Sequence, residues 1–248
     1  MKKIQQTKLK LLSINKLIPN AITMAALCSG MSAIRFAFIN HWEAAVGCIL
    51  LACILDTMDG RIARLLGKSS QFGAQLDSLA DAVNFGVAPA LMMYLYTLKD
   101  FRSFGWAITL FFVVCMVFRL ARFNTLLLQT DQEKPANKAF FLGVPAPAGA
   151  ILILLPIMLQ FEVDISQLLP TFFYGIWVIC GALLLISRIP TFSLKGGKIP
   201  LKFGWFLFVI LVFLMVNLVT SPWTTITLLG GLYLASIPIS YKLAQRGG

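Results

Sequence analysis

Residues 56–81 read DTMDGRIARLLGKSSQFGAQLDSLAD and place four carboxylates at the facing ends of two apolar segments. Asp56 and Asp59 are three apart, and Asp77 and Asp81 are four apart, so on helices each pair projects from one face. A charged side chain at the centre of a membrane helix costs about 2.5–3.5 kcal/mol on insertion scales, so four carboxylates there require partners. Hard divalent cations are the natural partner for clustered carboxylate oxygens. Gly60 and Gly73 permit close backbone approach, and Arg64 offers a rigid fork of donors suited to phosphate. The stretch reads as a metal and phosphate site carried on two helices joined by a short polar link, residues 67–75.

The rest of the chain sets that site in a membrane. Of 248 residues, 58% are hydrophobic and only 12% charged, an excess that a soluble core does not explain. Several apolar runs reach the roughly 20 residues needed to cross a hydrocarbon layer of about 30 Å. The expected fold is therefore all-α, a polytopic bundle of about eight transmembrane helices. The spans are expected near residues 20–39, 42–66, 76–98, 104–128, 143–160, 170–187, 203–220 and 224–242. Residues 1–18, with Lys2, Lys3, Lys8, Lys10 and Lys16 among apolar residues, read as an interfacial amphipathic helix facing anionic lipid, without cleavage of a leader. Residues 19–248 then form one transmembrane domain, its catalytic core at about 19–150.

The formal charge of +11 is distributed along the chain, with no basic stripe interleaved with aromatics as nucleic-acid binding would need. With an inside amino terminus, 18 of the 21 Lys and Arg fall on inner ends; Arg35, Lys99 and Arg102 do not. The positive-inside rule accordingly puts both termini and the aspartates on the cytoplasmic side of the cell membrane. Cys28, Cys48, Cys53, Cys115 and Cys180 all lie in apolar segments without a CxxC pair and read as small buried hydrophobes. The single histidine, His41, sits in a turn after the first span, which disfavours a hydrolase built on a histidine base. Trp42, Trp106, Trp205 and Trp223 fall near span ends as interfacial anchors.

The pattern Asp56-x2-Asp59-Gly60-x2-Ala63-Arg64-x8-Gly73-x3-Asp77-x3-Asp81 resembles, at eight fixed positions over 26 residues, the signature of the CDP-alcohol phosphotransferases, membrane enzymes of phospholipid biosynthesis. The resemblance implies that Asp56, Asp59 and Asp77 bind two divalent cations, Mg2+ or Mn2+. It makes Asp81 the general base and a further metal ligand. It also implies a CDP-lipid pocket at Gly60, Ala63, Arg64 and Gly73, which Asn20 and Thr23 complete unless they only cap the helix after Pro19. Arg61 is either a second phosphate ligand or an ordinary inner-end cation.

The acceptor must be read outside the core. Residues 118–124 (FRLARFN), 143–147 (GVPAP) and 81–89 (DAVNFGVAP) are similar to the bacterial and archaeal phosphatidylserine synthase branch of that family. This resemblance implies transfer of a phosphatidyl group from CDP-diacylglycerol to L-serine, and a homodimer. Arg119 and Arg122 share a helix face and Asn84 follows Asp81 by three residues, so all three are candidates to bind serine; the arginines could equally snorkel to the inner surface. Siblings using glycerol phosphate, inositol phosphate or choline share the core motif. A cation transporter with the carboxylates in its ion path is the reading from another class.

Overall fold

A computed structural model describes residues 14–66, 71–130, 140–162, 169–187, 190–192 and 204–246. Helices α1 (Ile14–Phe38) and α2 (Trp42–Leu65) pack along their lengths. The turn between them is set by Asn40, at φ 59°, in the left-handed region that asparagine tolerates. Its N–H donates to Ala37 C=O at 3.1 Å and that of His41 to Phe36 C=O at 3.0 Å, the paired bonds of a Schellman termination. The next stretch comprises α3 (Gln71–Asp81), a π-helical segment (Ala82–Val87) and α4 (Ala88–Tyr96). After a 3-10 turn (Leu98–Phe101) come α5 (Ser103–Thr130), α6 (Ala146–Gln160), α7 (Thr171–Ile186), α8 (Gly204–Thr220) and α9 (Pro222–Arg246). Among the described residues, three helices are long and apolar enough to cross a membrane, at Leu17–Phe38, Gln71–Tyr96 and Ser103–Thr125.

Helix α6 is apolar all round, and this is why it forms the central pillar. Gly149, Ala150, Leu152, Ile153, Leu154, Leu155, Ile157 and Met158 are all buried, against α2, α4, α7 and α9. Helix α8 is equally apolar and, among the described residues, packs chiefly on α9, leaving Phe208, Phe213, Met215 and Val219 exposed, as a lipid-facing helix would. At the end of the bundle remote from the aspartates, the Tyr96 hydroxyl donates to Gln160 Oε1 and Gln160 Nε2 to the Tyr174 hydroxyl. These bonds tie α4, α6 and α7 together and satisfy a polar side chain among aromatic rings.

Several expectations are corrected. Helix α1 runs through Pro19 without a break, so residue 18 is no helix boundary; residues 1–13, which carry four of the five lysines of the expected interfacial helix, lie outside the described residues. Helix α3 begins at Gln71 rather than near 76, shortening the link from α2. Residues 140–142 and 190–192 add what an all-α reading omits, a ribbon in which β1 (Phe140–Leu142) pairs antiparallel with β2 (Pro190–Phe192). Residues 131–139 and 193–203 lie outside the described residues. Of the cysteines only Cys115 is buried; Cys28 and Cys180 are exposed, and Cys48 and Cys53 are half-buried.

Gly105 shows how closely the turn before α5 packs. A Cβ there would lie 1.8 Å from the Leu98 carbonyl oxygen. Gly105→Ala is expected to destabilise the protein by about 1–3 kcal/mol, the usual range for overpacking. Thermal unfolding in detergent checks this, and an unchanged midpoint would contradict the packing.

Candidate active site

The early part of α1, the later parts of α2 and α5, and α3 meet around one cluster. Asp56 and Asp59 lie in the second half of α2 and Asp77 on α3, and ligand oxygens from the three lie within 4.8 Å of one another. Asp81, at the last position of α3, is in hydrogen-bond contact with Asp56. Two carboxyl groups in such contact need a proton or a cation between them. All four aspartates are thus brought together, as their helical spacing predicts.

The cluster fits a divalent cation on its own evidence. Asp77 Oδ1 is buried without a hydrogen-bond partner, and its neighbours in the cluster are carboxylates of like charge. An oxygen in that position is costly unless something positive meets it. The donors are all carboxylate oxygens, the set suited to Mg2+ or Mn2+ and not to soft metals.

Asp59 is the most enclosed of the four, only 4% exposed, and the Thr23 hydroxyl of α1 lies 2.6 Å from its Oδ2. Beside it Gly60 faces open space, since a Cβ added there meets nothing within 4 Å. Ala63 and Gly73 are half-buried, Asn20 is half-buried near the start of α1, and Arg64 is exposed in the last turn of α2. Arg61 is exposed too. This side of the cluster therefore offers room at Gly60, with the exposed Arg64 one helical turn further along α2.

The other side is walled by α5. Arg119 Nε donates to Val144 C=O at 2.6 Å, at the entry to α6, and its charge acts on Asp81. Arg122 donates to Ile186 C=O at 3.2 Å, at the end of α7. Asn124 Nδ2 donates to Ser78 Oγ at 2.8 Å, bracing α3 next to Asp77. Asn84 sits in the π segment, 1% exposed, wedged against α1: a Cβ on Gly30 would lie 2.1 Å from its Oδ1. The structure therefore sets Arg119 beside Asp81, while Arg122 and Asn84 are engaged in helix packing. The Ser78 brace was missed in sequence, although Asn124 stands in the FRLARFN motif; a polar residue two positions after the second arginine was the available signal.

Comparison with known proteins agrees with this geometry. The family model described as CDP-alcohol phosphatidyltransferase matches residues 16–235. The chain is similar to the CDP-diacylglycerol-serine O-phosphatidyltransferase of Mycobacterium leprae, 39% identical over 226 residues that cover 91% of this chain and 74% of the relative. It is 34% identical over 223 residues, 88% of each chain, to the protein of that name from Helicobacter pylori. The likeness extends to an archaeon, with 34% identity over 214 residues to the Methanocaldococcus jannaschii protein of the same name, covering 85% of this chain and 88% of the relative. Sequence signature, carboxylate cluster and relatives agree, and the chain belongs to the CDP-alcohol phosphatidyltransferase family.

Proposed function

We propose that this enzyme is a phosphatidylserine synthase, transferring the phosphatidyl group of CDP-diacylglycerol to the hydroxyl of L-serine with release of CMP. The observation that carries the reading is the convergence of Asp56, Asp59 and Asp77 beside the open face of Gly60, in a chain whose relatives from bacteria and an archaeon bear that name.

Asp56, Asp59, Asp77 and Asp81 would hold two divalent cations, Mg2+ or Mn2+. When bound, these neutralise the pyrophosphate and stabilise charge on the attacking and leaving oxygens. Asp81 takes the proton from the serine hydroxyl as its oxygen attacks the lipid-side phosphorus. The bond from that phosphorus to the CMP oxygen breaks, and CMP leaves with the electron pair. Gly60, Ala63 and Gly73 leave room for the nucleotide, Asn20 lines its edge, and Arg64 meets phosphate. Arg119, beside Asp81, has guanidinium donors beyond Nε with which to hold the serine carboxylate.

The reading sets eight spans in the cell membrane, with both termini and the site cytoplasmic, residues 19–248 acting as one domain and the enzyme as a homodimer. In a cysteine-free background, a cysteine at position 69 is expected to label only from inside in sealed vesicles and one at position 224 only from outside; labelling of position 69 from outside would invert the topology. Release of CMP from CDP-diacylglycerol with serine, glycerol phosphate, inositol phosphate or choline tests the acceptor. Serine is expected to be used at least about tenfold better than the others, a difference of about 1.4 kcal/mol in transition-state stabilisation. Preference for another alcohol would overturn the assignment.

A further inference from the structure

The Thr23 hydroxyl has one proton and two acceptors in reach, Asp59 Oδ2 at 2.6 Å and Pro19 C=O at 3.0 Å. The two lengths decide where the proton lies. A hydroxyl donating to an ionised carboxylate gives about 2.5–2.7 Å, whereas 3.0 Å is long for a neutral hydroxyl bond. The Pro19 carbonyl, moreover, faces the backbone N–H of Thr23 by ordinary helix geometry and does not depend on the hydroxyl. Thr23 is 5% exposed and Asp59 4%, so neither group has bulk water as a substitute partner. With Oδ2 held from α1, the Asp59 carboxylate cannot turn freely about its last torsion, and the oxygens it presents to Asp56 and Asp77 are fixed.

We infer that Thr23 is a positioning residue for the cation site: its hydroxyl presets the Asp59 carboxylate before any cation arrives. This differs from a place in the nucleotide pocket, because the hydroxyl is already committed within the protein. It also gives α1 a defined part in the reaction. The helix contributes no carboxylate, yet it fixes the rotation of one on α2. Hydrogen bonds to ligating groups commonly matter in this way, and their loss weakens metal affinity by about 10–100-fold.

The inference rests on the cation reading of the aspartates, and the test keeps the two apart. Full-length protein, purified in detergent without CDP-lipid, is titrated with Mn2+, and free ion is measured by electron paramagnetic resonance. Thr23→Val, close in shape but without the hydroxyl, is expected to bind Mn2+ about 10–100-fold more weakly, and Thr23→Ser to stay within about twofold of the parent. Activity of Thr23→Val should recover as Mn2+ is raised, with an unchanged KM for CDP-diacylglycerol at saturating Mn2+. Parental Mn2+ binding in Thr23→Val, or a raised lipid KM at saturating Mn2+, would overturn the inference. Should Thr23→Val not fold, Thr23→Ala takes its place. If Thr23→Ser binds as weakly as the variants without a hydroxyl, the methyl group and not the hydroxyl matters, and the inference fails. Asp59→Asn is the control: if it keeps parental Mn2+ binding, the cation reading itself is wrong, whereas loss there with none in Thr23→Val overturns only the role of Thr23.

Discussion

Asp77→Asn and Asp59→Asn are each expected to lower turnover by at least about a hundredfold to a thousandfold while the protein still inserts in the membrane. The figure follows from breaking a buried charge interaction, worth about 3–5 kcal/mol, at about 1.4 kcal/mol per tenfold. Asn keeps the shape and one oxygen of Asp but removes the charge that a divalent ion needs. For Asp77 the loss should be direct, because its Oδ1 is buried without another hydrogen-bond partner. For Asp59 the amide also disturbs the Thr23 contact, since an NH2 in place of Oδ2 cannot accept the hydroxyl proton. Mn2+ binding and CMP release, measured on the same preparations, should fall together. Turnover at the parental rate with unchanged metal dependence in either variant would remove these residues from the site.

The carboxylate cluster was legible in the sequence because its geometry is local twice over. Spacings of three and four fix each pair on a helix face, and a short link folds one helix back on the other. What was not legible is what crosses the bundle. Thr23 and Asp59 are 36 residues apart and Asn124 and Ser78 are 46 apart, and no periodicity announces either contact. The π segment is equally silent, since AVNFGV reads as ordinary apolar helix until its place beside Gly30 and α5 is seen. Strands of three residues give too little alternation to be read, and both strands of the β1–β2 ribbon fall between the expected spans. The cysteines show a different limit. Apolar surroundings in sequence mean burial only in a soluble protein; in a bundle that faces lipid, Cys28 and Cys180 sit on the outside.

Arg119→Ala and Arg64→Ala are expected to fail in opposite ways, and the contrast tests where each substrate lies. Arg64 is exposed at the end of α2, on the side where Gly60 leaves open space. Its loss should raise the KM for CDP-diacylglycerol at every serine concentration, with no rescue by added serine. Arg119 is half-buried, anchored through Nε to Val144 and close enough to Asp81 for their charges to interact. A serine carboxylate held there would put the hydroxyl next to the base that deprotonates it. A charge-assisted hydrogen bond contributes about 1.5–3 kcal/mol, so Arg119→Ala should raise the serine requirement by roughly tenfold to a hundredfold or more. The CDP-diacylglycerol KM should change far less. Arg122→Ala and Asn84→Ala, which release packing contacts to Ile186 and Gly30, should lower the thermal midpoint more than they alter either substrate constant. If Arg119→Ala raises the lipid requirement as much as the serine requirement, Arg119 is a phosphate ligand and the acceptor lies elsewhere, with the aspartate cluster untouched by that result.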